Sequence, residues 1–266
     1  MSQRPLAVVT GASDGMGREY ARALAEMGND LLLVARRGYV LDALKTELEE
    51  KFSVSVETCP MDLSVMENIV ALEQKILAEE RVLWLVNCAG FAAGGGHFPD
   101  IPVEIESKML MVHNMAPMRL CRAALVPMSV NLRGYIINVA SVTGFIASNG
   151  VVNYSATKAF LIAFSRSLQC DCVGKGVLIQ AFCPGFVRTG FHDSETMKNS
   201  DLKKQVPNFM WDNAPRVVRK SLRAAQKKRF HRVVFIPTLF YRIVKQIMSG
   251  PVLKPFRIMF TGGKTR

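Results

Sequence analysis

Apolar positions in the first 190 residues fall into two alternating patterns. Short continuous runs of Val, Ile and Leu alternate with longer stretches whose apolar residues recur every three or four positions. The run LAVVT (6–10) predicts a strand, and a Gly-rich turn and a helix from Arg18 to Met27 follow it. DLLLVAR (30–36) predicts the next strand, with a charged helical segment from Tyr39 to Lys51. VSVETCPMDL (54–63) is read as strand three with its exit loop, then a helix from Asn68 to Glu79 and strand four at VLWLVNCAG (82–90). A long helix over 104–128, a strand at GYIINVAS (134–141), a helix from Tyr154 to Gly174 and a strand at VLIQAFCP (177–184) complete the series. Runs that do not alternate mark strands covered on both faces, and helix-length connections between them call for parallel crossovers. Right-handed crossovers give an α/β, doubly wound, Rossmann-like parallel sheet of about seven strands with helices on both faces. No Ser- or Pro-rich linker or internal repeat breaks the run, so residues 1–266 are expected to form one domain.

Composition narrows the class. At 49% hydrophobic and 21% charged, the chain is neither disordered nor of low complexity. It has no apolar run of about 18 residues and no secretory signal before Leu6, so a soluble, cytoplasmic protein is expected. Cys59, Cys88, Cys121, Cys170, Cys172 and Cys183 are then expected to be free thiols. Cys170 and Cys172 form a lone C-x-C pair, and His97, His113, His192 and His231 do not cluster, so no metal site is expected. The net charge of +12 is uneven: residues 201–266 hold 16 Lys plus Arg against two acids, while the first 200 are nearly balanced.

The turn after strand one reads Thr10-Gly11-Ala12-Ser13-Asp14-Gly15-Met16-Gly17. Glycines at this place let the backbone approach a pyrophosphate, whose charge sits at the following helix N-terminus. Strand two ends Val34-Ala35-Arg36-Arg37, where a site for the unphosphorylated dinucleotide would place a carboxylate on the ribose. Two guanidiniums there favour a 2′-phosphate, hence NADP(H), over the alternative that they cap a surface turn. Asp14 argues the other way, because it is expected to bring negative charge to the adenosine side. Gly262-Gly263-Lys264-Thr265 resembles a phosphate loop, but Ile258 stands where that loop requires glycine. Gly94-Gly95-Gly96, past strand four, reads as a flexible active-site loop.

Tyr154 and Lys158, four apart, share one helix face. A tyrosine hydroxyl with a pKa of about 10 exchanges protons poorly near neutrality, and a neighbouring ammonium is expected to lower that value. The same spacing recurs at Tyr241 and Lys245, but thirteen residues before Tyr154 lies Ser141, at the carboxyl end of strand five, where open α/β sheets bind ligands. Thirteen residues before Tyr241 lies Lys228, so Tyr241 and Lys245 are read as a membrane- or solvent-facing pair.

TGASDGMG (10–17), NCAG (87–90), Asn114, Ser141, YSATK (154–158) and PGFVRT (184–189) stand in the order and spacing of the short-chain dehydrogenase/reductase family. The chain resembles it over roughly residues 5–192, and its ends look like those of the ketoacyl-reductase and hydroxysteroid-dehydrogenase branch. The resemblance implies that Tyr154 is the general acid/base, Ser141 bonds the carbonyl oxygen, Lys158 lowers the tyrosine pKa and bonds the nicotinamide ribose, and Asn114 holds a relay water. It further implies that Asp62 and Leu63 flank the adenine, that Asn87, Ala89 and Gly90 support the cofactor, and that Pro184, Gly185, Val187 and Thr189 meet its nicotinamide end. Where the family often has V-N, this chain has His113-Asn114, with His113 read as a packed helix residue. The family's frequent Asp-Gly-Gly tail is missing, which weakens any transfer of its tetramer contacts, although a homo-oligomer is still implied.

A substrate loop is expected at 191–213, carrying Met197, Val206, Phe209, Met210 and Trp211, which read equally as an apolar lid or as core, and a basic extension at 215–266. From Pro215 to Arg257 there are 12 Lys or Arg and no acid, which reads as a helix, a last strand from His231 to Pro237 and another amphipathic helix. A solvated face, an anionic membrane surface and the guidance of an acidic thioester or carrier are its open readings. Nucleic-acid binding is not expected, for want of stacking aromatics or a known motif. The expected activity is NADPH-dependent hydride transfer between the nicotinamide and a hydrophobic ketone or secondary alcohol, either a β-ketoacyl thioester or a steroid-like carbonyl, with an NADP-dependent alcohol dehydrogenase running in reverse as the rival enzyme. The alternative is a catalytically idle NADPH-binding scaffold that docks a partner through its basic end.

Overall fold

A computed structural model describes residues 4–93, 96–146, 149–190, 206–227 and 233–238. Its centre is a parallel sheet of β1 (Leu6–Thr10), β2 (Asp30–Ala35), β3 (Val56–Pro60), β4 (Val82–Asn87), β5 (Gly134–Val139), β6 (Val177–Phe182) and a short last strand, β9 (Val234–Phe235). The spatial order is β3-β2-β1-β4-β5-β6-β9. Every pairing within this sheet is parallel, as the continuous apolar runs require. The strand order reverses between β1 and β4, and the crevice at that switch point is where such sheets hold ligands.

β1 shows why the strands are apolar throughout. Ala7 and Val9 pack into one core with Leu24, Leu41 and Leu222, from α1 (Gly15–Glu26), α2 (Gly38–Phe52) and α7 (Ala214–Gln226). Leu6 and Val8 pack into the other with Ile69 and Leu120, from α3 (Met66–Leu77) and α5 (Ala116–Val130), and with Phe164 of α6 (Val152–Asp171). A smaller cluster of Ala140, Val142, Leu161, Ile162, Cys183 and Ile236 supports the carboxyl ends of β5 and β6.

Three expectations change. The single helix over 104–128 is divided into α4 (Val103–Leu110), a π-helical turn (Met111–Met115) and α5. The cause is Pro117, two residues into α5: its ring would strike the carbonyl four residues back, and the helix widens, with the Ala116 amide bonding the Met111 carbonyl. The last strand spans Val234–Phe235 rather than 231–237. The end of the expected substrate loop forms β8 (Trp211–Asn213), which pairs in parallel with β7 (Phe186–Arg188). Residues 191–205, with Met197, lie outside the described residues, as do Gly94, Gly95, the Tyr241/Lys245 pair and the 262–265 tail.

Candidate active site

At the switch point the turn after β1 meets the loop after β4. Thr10 Oγ1 accepts from the amides of Cys88 (3.0 Å) and Ala89 (3.1 Å), binding the two loops together. Gly11, at φ +69°, lies so close that a Cβ there would fall 2.8 Å from the Ala89 nitrogen. A Cβ on Gly17 would overlap the Gly11 carbonyl, so this cradle tolerates only glycine. Asp14 caps α1, its Oδ1 accepting from the Gly15 amide at 2.6 Å. Its other oxygen lies against Gly190, and Gly15 faces Thr189. The Asp14 charge therefore sits beside Thr189 and Gly190, in the segment expected at the nicotinamide end. Met16 is half-buried against the first core.

Of the two arginines after β2, Arg37 reaches the turn. Arg37 donates to Ser13 Oγ (3.0 Å) and to the Ser13 carbonyl (3.3 Å), and Arg18 donates to the same carbonyl at 3.1 Å. Arg36 is exposed beside them. Burial works to raise the pKa of Asp62, but hydrogen bonds from Ser64 and the charges of Arg36 and Lys108 outweigh it and hold the carboxyl below its ordinary range. Leu63 is buried next to it. Asn87 donates to Asn138 Oδ1 at 2.8 Å across the β4–β5 pairing, and its own Oδ1 is buried without a partner. The Ala89 amide is held by Thr10, and Gly90 lies against the His113 ring. Pro184 accepts from the Val142 amide at 3.0 Å, Gly185 precedes β7, and Val187 is buried within it.

The catalytic candidates converge from β5 and α6. Ser141, at the end of β5, caps a short turn by accepting from the Thr143 amide at 3.2 Å, and its hydroxyl also hydrogen-bonds Tyr154. Tyr154 lies in the first turn of α6, half-buried. Lys158, one turn on and 6% exposed, donates to the Val139 carbonyl at 2.9 Å, with Nζ 5.5 Å from the Tyr154 ring centroid. Burial pushes the Tyr154 phenol up to about 12, with the Ser141 hydrogen bond opposing, and pushes Lys158 down to about 8. This corrects the expected direction for the tyrosine: desolvation of the phenolate outweighs the Ser141 hydrogen bond, and Cys88 raises the value further. Asn114 stands in the π turn, and its Oδ1 is buried without a hydrogen-bond partner.

His113 and Thr157 belong to the same cluster, and sequence reasoning gave neither a functional role. His113 is packed, as expected, but between Phe91 and Tyr154, with ring centroids 5.8 and 5.7 Å away. The adjacency of His113 to Asn114 and of Thr157 to Lys158 was the available signal. All six cysteines are free, and the described residues contain no group of three His, Cys, Asp or Glu able to hold a metal. No described helix is long and apolar enough to cross a membrane.

The profile of the short chain dehydrogenase family matches residues 5–200. Very-long-chain 3-oxoacyl-CoA reductase-A of Danio rerio is 35% identical over 187 residues, covering 69% of this chain and 58% of that protein. The human very-long-chain 3-oxoacyl-CoA reductase is 33% identical, with coverages of 69% and 59%. The chain thus matches less than two thirds of the length of these relatives. A solved short-chain dehydrogenase from Sphingobium yanoikuyae in complex with NADPH is 28% identical, covers 98% of each chain and has a TM-score of 0.83. A bulky-bulky ketone specific alcohol dehydrogenase from Comamonas testosteroni is 27% identical over 95% of each chain, with a TM-score of 0.78.

Proposed function

The chain belongs to the short-chain dehydrogenase family of oxidoreductases, and we propose that it is an NADPH-dependent reductase of a hydrophobic ketone, foremost a 3-oxoacyl thioester. The glycine-only cradle at Gly11 and Gly17 fits a pyrophosphate, and Arg36 and Arg37 form a cationic donor set suited to a 2′-phosphate. When bound, NADPH supplies the hydride that reaches the carbonyl carbon. Ser141 positions the carbonyl oxygen, and Tyr154 gives that oxygen its proton.

One observation carries this reading: a phenol with a pKa pushed up to about 12, hydrogen-bonded to Ser141, at the carboxyl end of β5. Burial favours the protonated phenol, the form that donates in reduction, and the same hydroxyl returns as the acceptor when the alcohol is oxidised. Lys158 orients the pair from below, and its charge is available near neutrality because its pKa lies at about 8. The thioester class is supported by the relatives from Danio rerio and human, which are 3-oxoacyl-CoA reductases. A bulky ketone is the second reading, supported by the Comamonas testosteroni neighbour.

The test is NADPH oxidation, followed by absorbance, with a medium-chain 3-oxoacyl-CoA and separately with a bulky diaryl ketone. Turnover of the thioester that Tyr154→Phe abolishes is the expected result. Turnover of the ketone alone moves the assignment to the second class. Turnover of neither, in a preparation that binds NADPH, rejects both substrates.

A further inference from the structure

One buried titratable group outside the assigned residues touches the site from two sides. His113 is 1% exposed and sits in the π turn that Pro117 imposes. Its Nε2 accepts from the Phe91 amide at 3.1 Å, and its Nδ1 lies 2.9 Å from Thr157 Oγ1. Thr157 Oγ1 in turn donates to the backbone carbonyl of Tyr154 at 2.8 Å. This series of bonds admits one arrangement of protons. The Phe91 N–H requires a lone pair on Nε2, and the threonine hydrogen is committed to Tyr154, so Nδ1 must carry the imidazole proton and donate it to Thr157.

We propose that His113, as the Nδ1–H imidazole, is a positioning residue that ties the loop after β4 to the first turn of α6 and thereby sets the aim of the Tyr154 hydroxyl. The proposal rests on the reading of Tyr154 as the proton donor. Burial, followed by the charge of Lys158, pushes the imidazole pKa well below its usual value, so it keeps the neutral form that the bonding requires. A second proton would place a donor on Nε2 facing the Phe91 N–H and break the tie. The fit is close on the loop side as well: a Cβ on Gly90 would fall 2.9 Å from Nε2. Catalytic geometry is sensitive at this scale, since a displacement of about 1 Å can cost roughly a hundredfold in rate.

The experiment uses the full chain with NADPH and a medium-chain 3-oxoacyl-CoA, alongside amide hydrogen exchange of residues 88–93 and 152–158. His113→Leu removes both bonds, Thr157→Val removes the link to Tyr154, and His113→Gln restores an acceptor near the Nε2 position. The expected result is a kcat about 10- to 100-fold lower in H113L, with the NADPH Kd within about twofold of wild type. T157V should fall similarly, the double variant no further than the worse single one, and H113Q should recover part of the loss. Exchange should quicken in both segments of H113L. A kcat within about twofold of wild type, or multiplicative losses in the double variant, would overturn the proposal. If H113L does not fold, T157V and H113Q decide by the same criteria. If the wild type does not turn the thioester over, the substrate reading fails by itself, and the exchange data decide: unchanged protection in both segments rejects the tie, and faster exchange in both upholds it.

Discussion

At the amino end of the sheet, Arg81 bonds Asp30 at 3.1 Å and Glu79 at 2.8 Å, and Lys75 bonds Glu57 at 2.5 Å. At the carboxyl end, the Lys158 ammonium has a backbone carbonyl as its hydrogen-bond partner, while Asn114 Oδ1 and Thr143 Oγ1 are buried with none. The charged side chains are thus paired with opposite charge at the amino end, where Asn29 Oδ1 is the buried atom left without a partner, whereas the carboxyl end buries an ammonium with no carboxylate bonded to it. Buried polar groups without partners cost stability, and they persist where something else is to be bound. The cost at the carboxyl end and the neutralisation at the amino end predict opposite responses to mutation.

The largest effect is expected from Tyr154→Phe. It removes the proton and little volume, so kcat should fall about 10³-fold while the melting temperature and NADPH binding stay near wild type. A rate within tenfold of wild type would remove Tyr154 from the mechanism.

Lys158→Met separates activity from stability. Turnover should drop about a hundredfold, yet the cofactor-free protein should become more stable at pH 7, by about 1–3 kcal/mol in denaturant melts. The sign follows from its lowered pKa: between about 8 and 10.5 the unfolded chain holds a proton that the folded chain has released, so wild-type stability climbs with pH through that window. The variant's advantage should therefore be full below pH 8 and vanish as pH approaches 10.5. An advantage independent of pH would mean that packing, not charge burial, is responsible.

Arg36→Asp tests the exposed part of the carboxyl end. Loss of a charge-assisted contact and introduction of a repulsive one should weaken NADPH binding about tenfold or more, with NADH little affected, measured by fluorescence titration. Equal losses for both nucleotides would refute the 2′-phosphate assignment. The smallest effect is reserved for the amino end: Arg81→Ala should cost about 1 kcal/mol and leave kcat unchanged, because partly exposed ion pairs contribute little. A large loss of activity there would erase the distinction between the two ends.

Most of the sheet was legible because a strand covered on both faces leaves an uninterrupted apolar run, as LAVVT and VLWLVN do. The grouping of Ser141, Tyr154 and Lys158 was legible too, since strand end and helix spacing both act locally. What escaped depends on partners distant in sequence. The hydrogen bond of Asn87 depends on Asn138, the closeness of Asp14 to Gly190 on the meeting of two distant loops, and the β7–β8 pairing on three-residue strands too short to show a period. The high pKa of Tyr154 comes from burial, which the four-residue spacing to Lys158 does not encode. The break at Met111–Met115 was missed because apolar residues continue across it; Pro117 was the one local sign.

That break has a geometric consequence. An α-helix advances about 100° per residue, so one residue taken up as an extra loop in the backbone shifts the phase of everything beyond it by roughly that angle. α4 and α5 are thus joined through a slip, and the residues after it, Leu120 and Ala124 among them, are offset from where a continuous α-helix would place them. A deletion of one residue within 111–115 would heal the backbone and misalign the two helices. Any change in the length of this segment therefore displaces His113 and Asn114 together with the helix faces on either side of it.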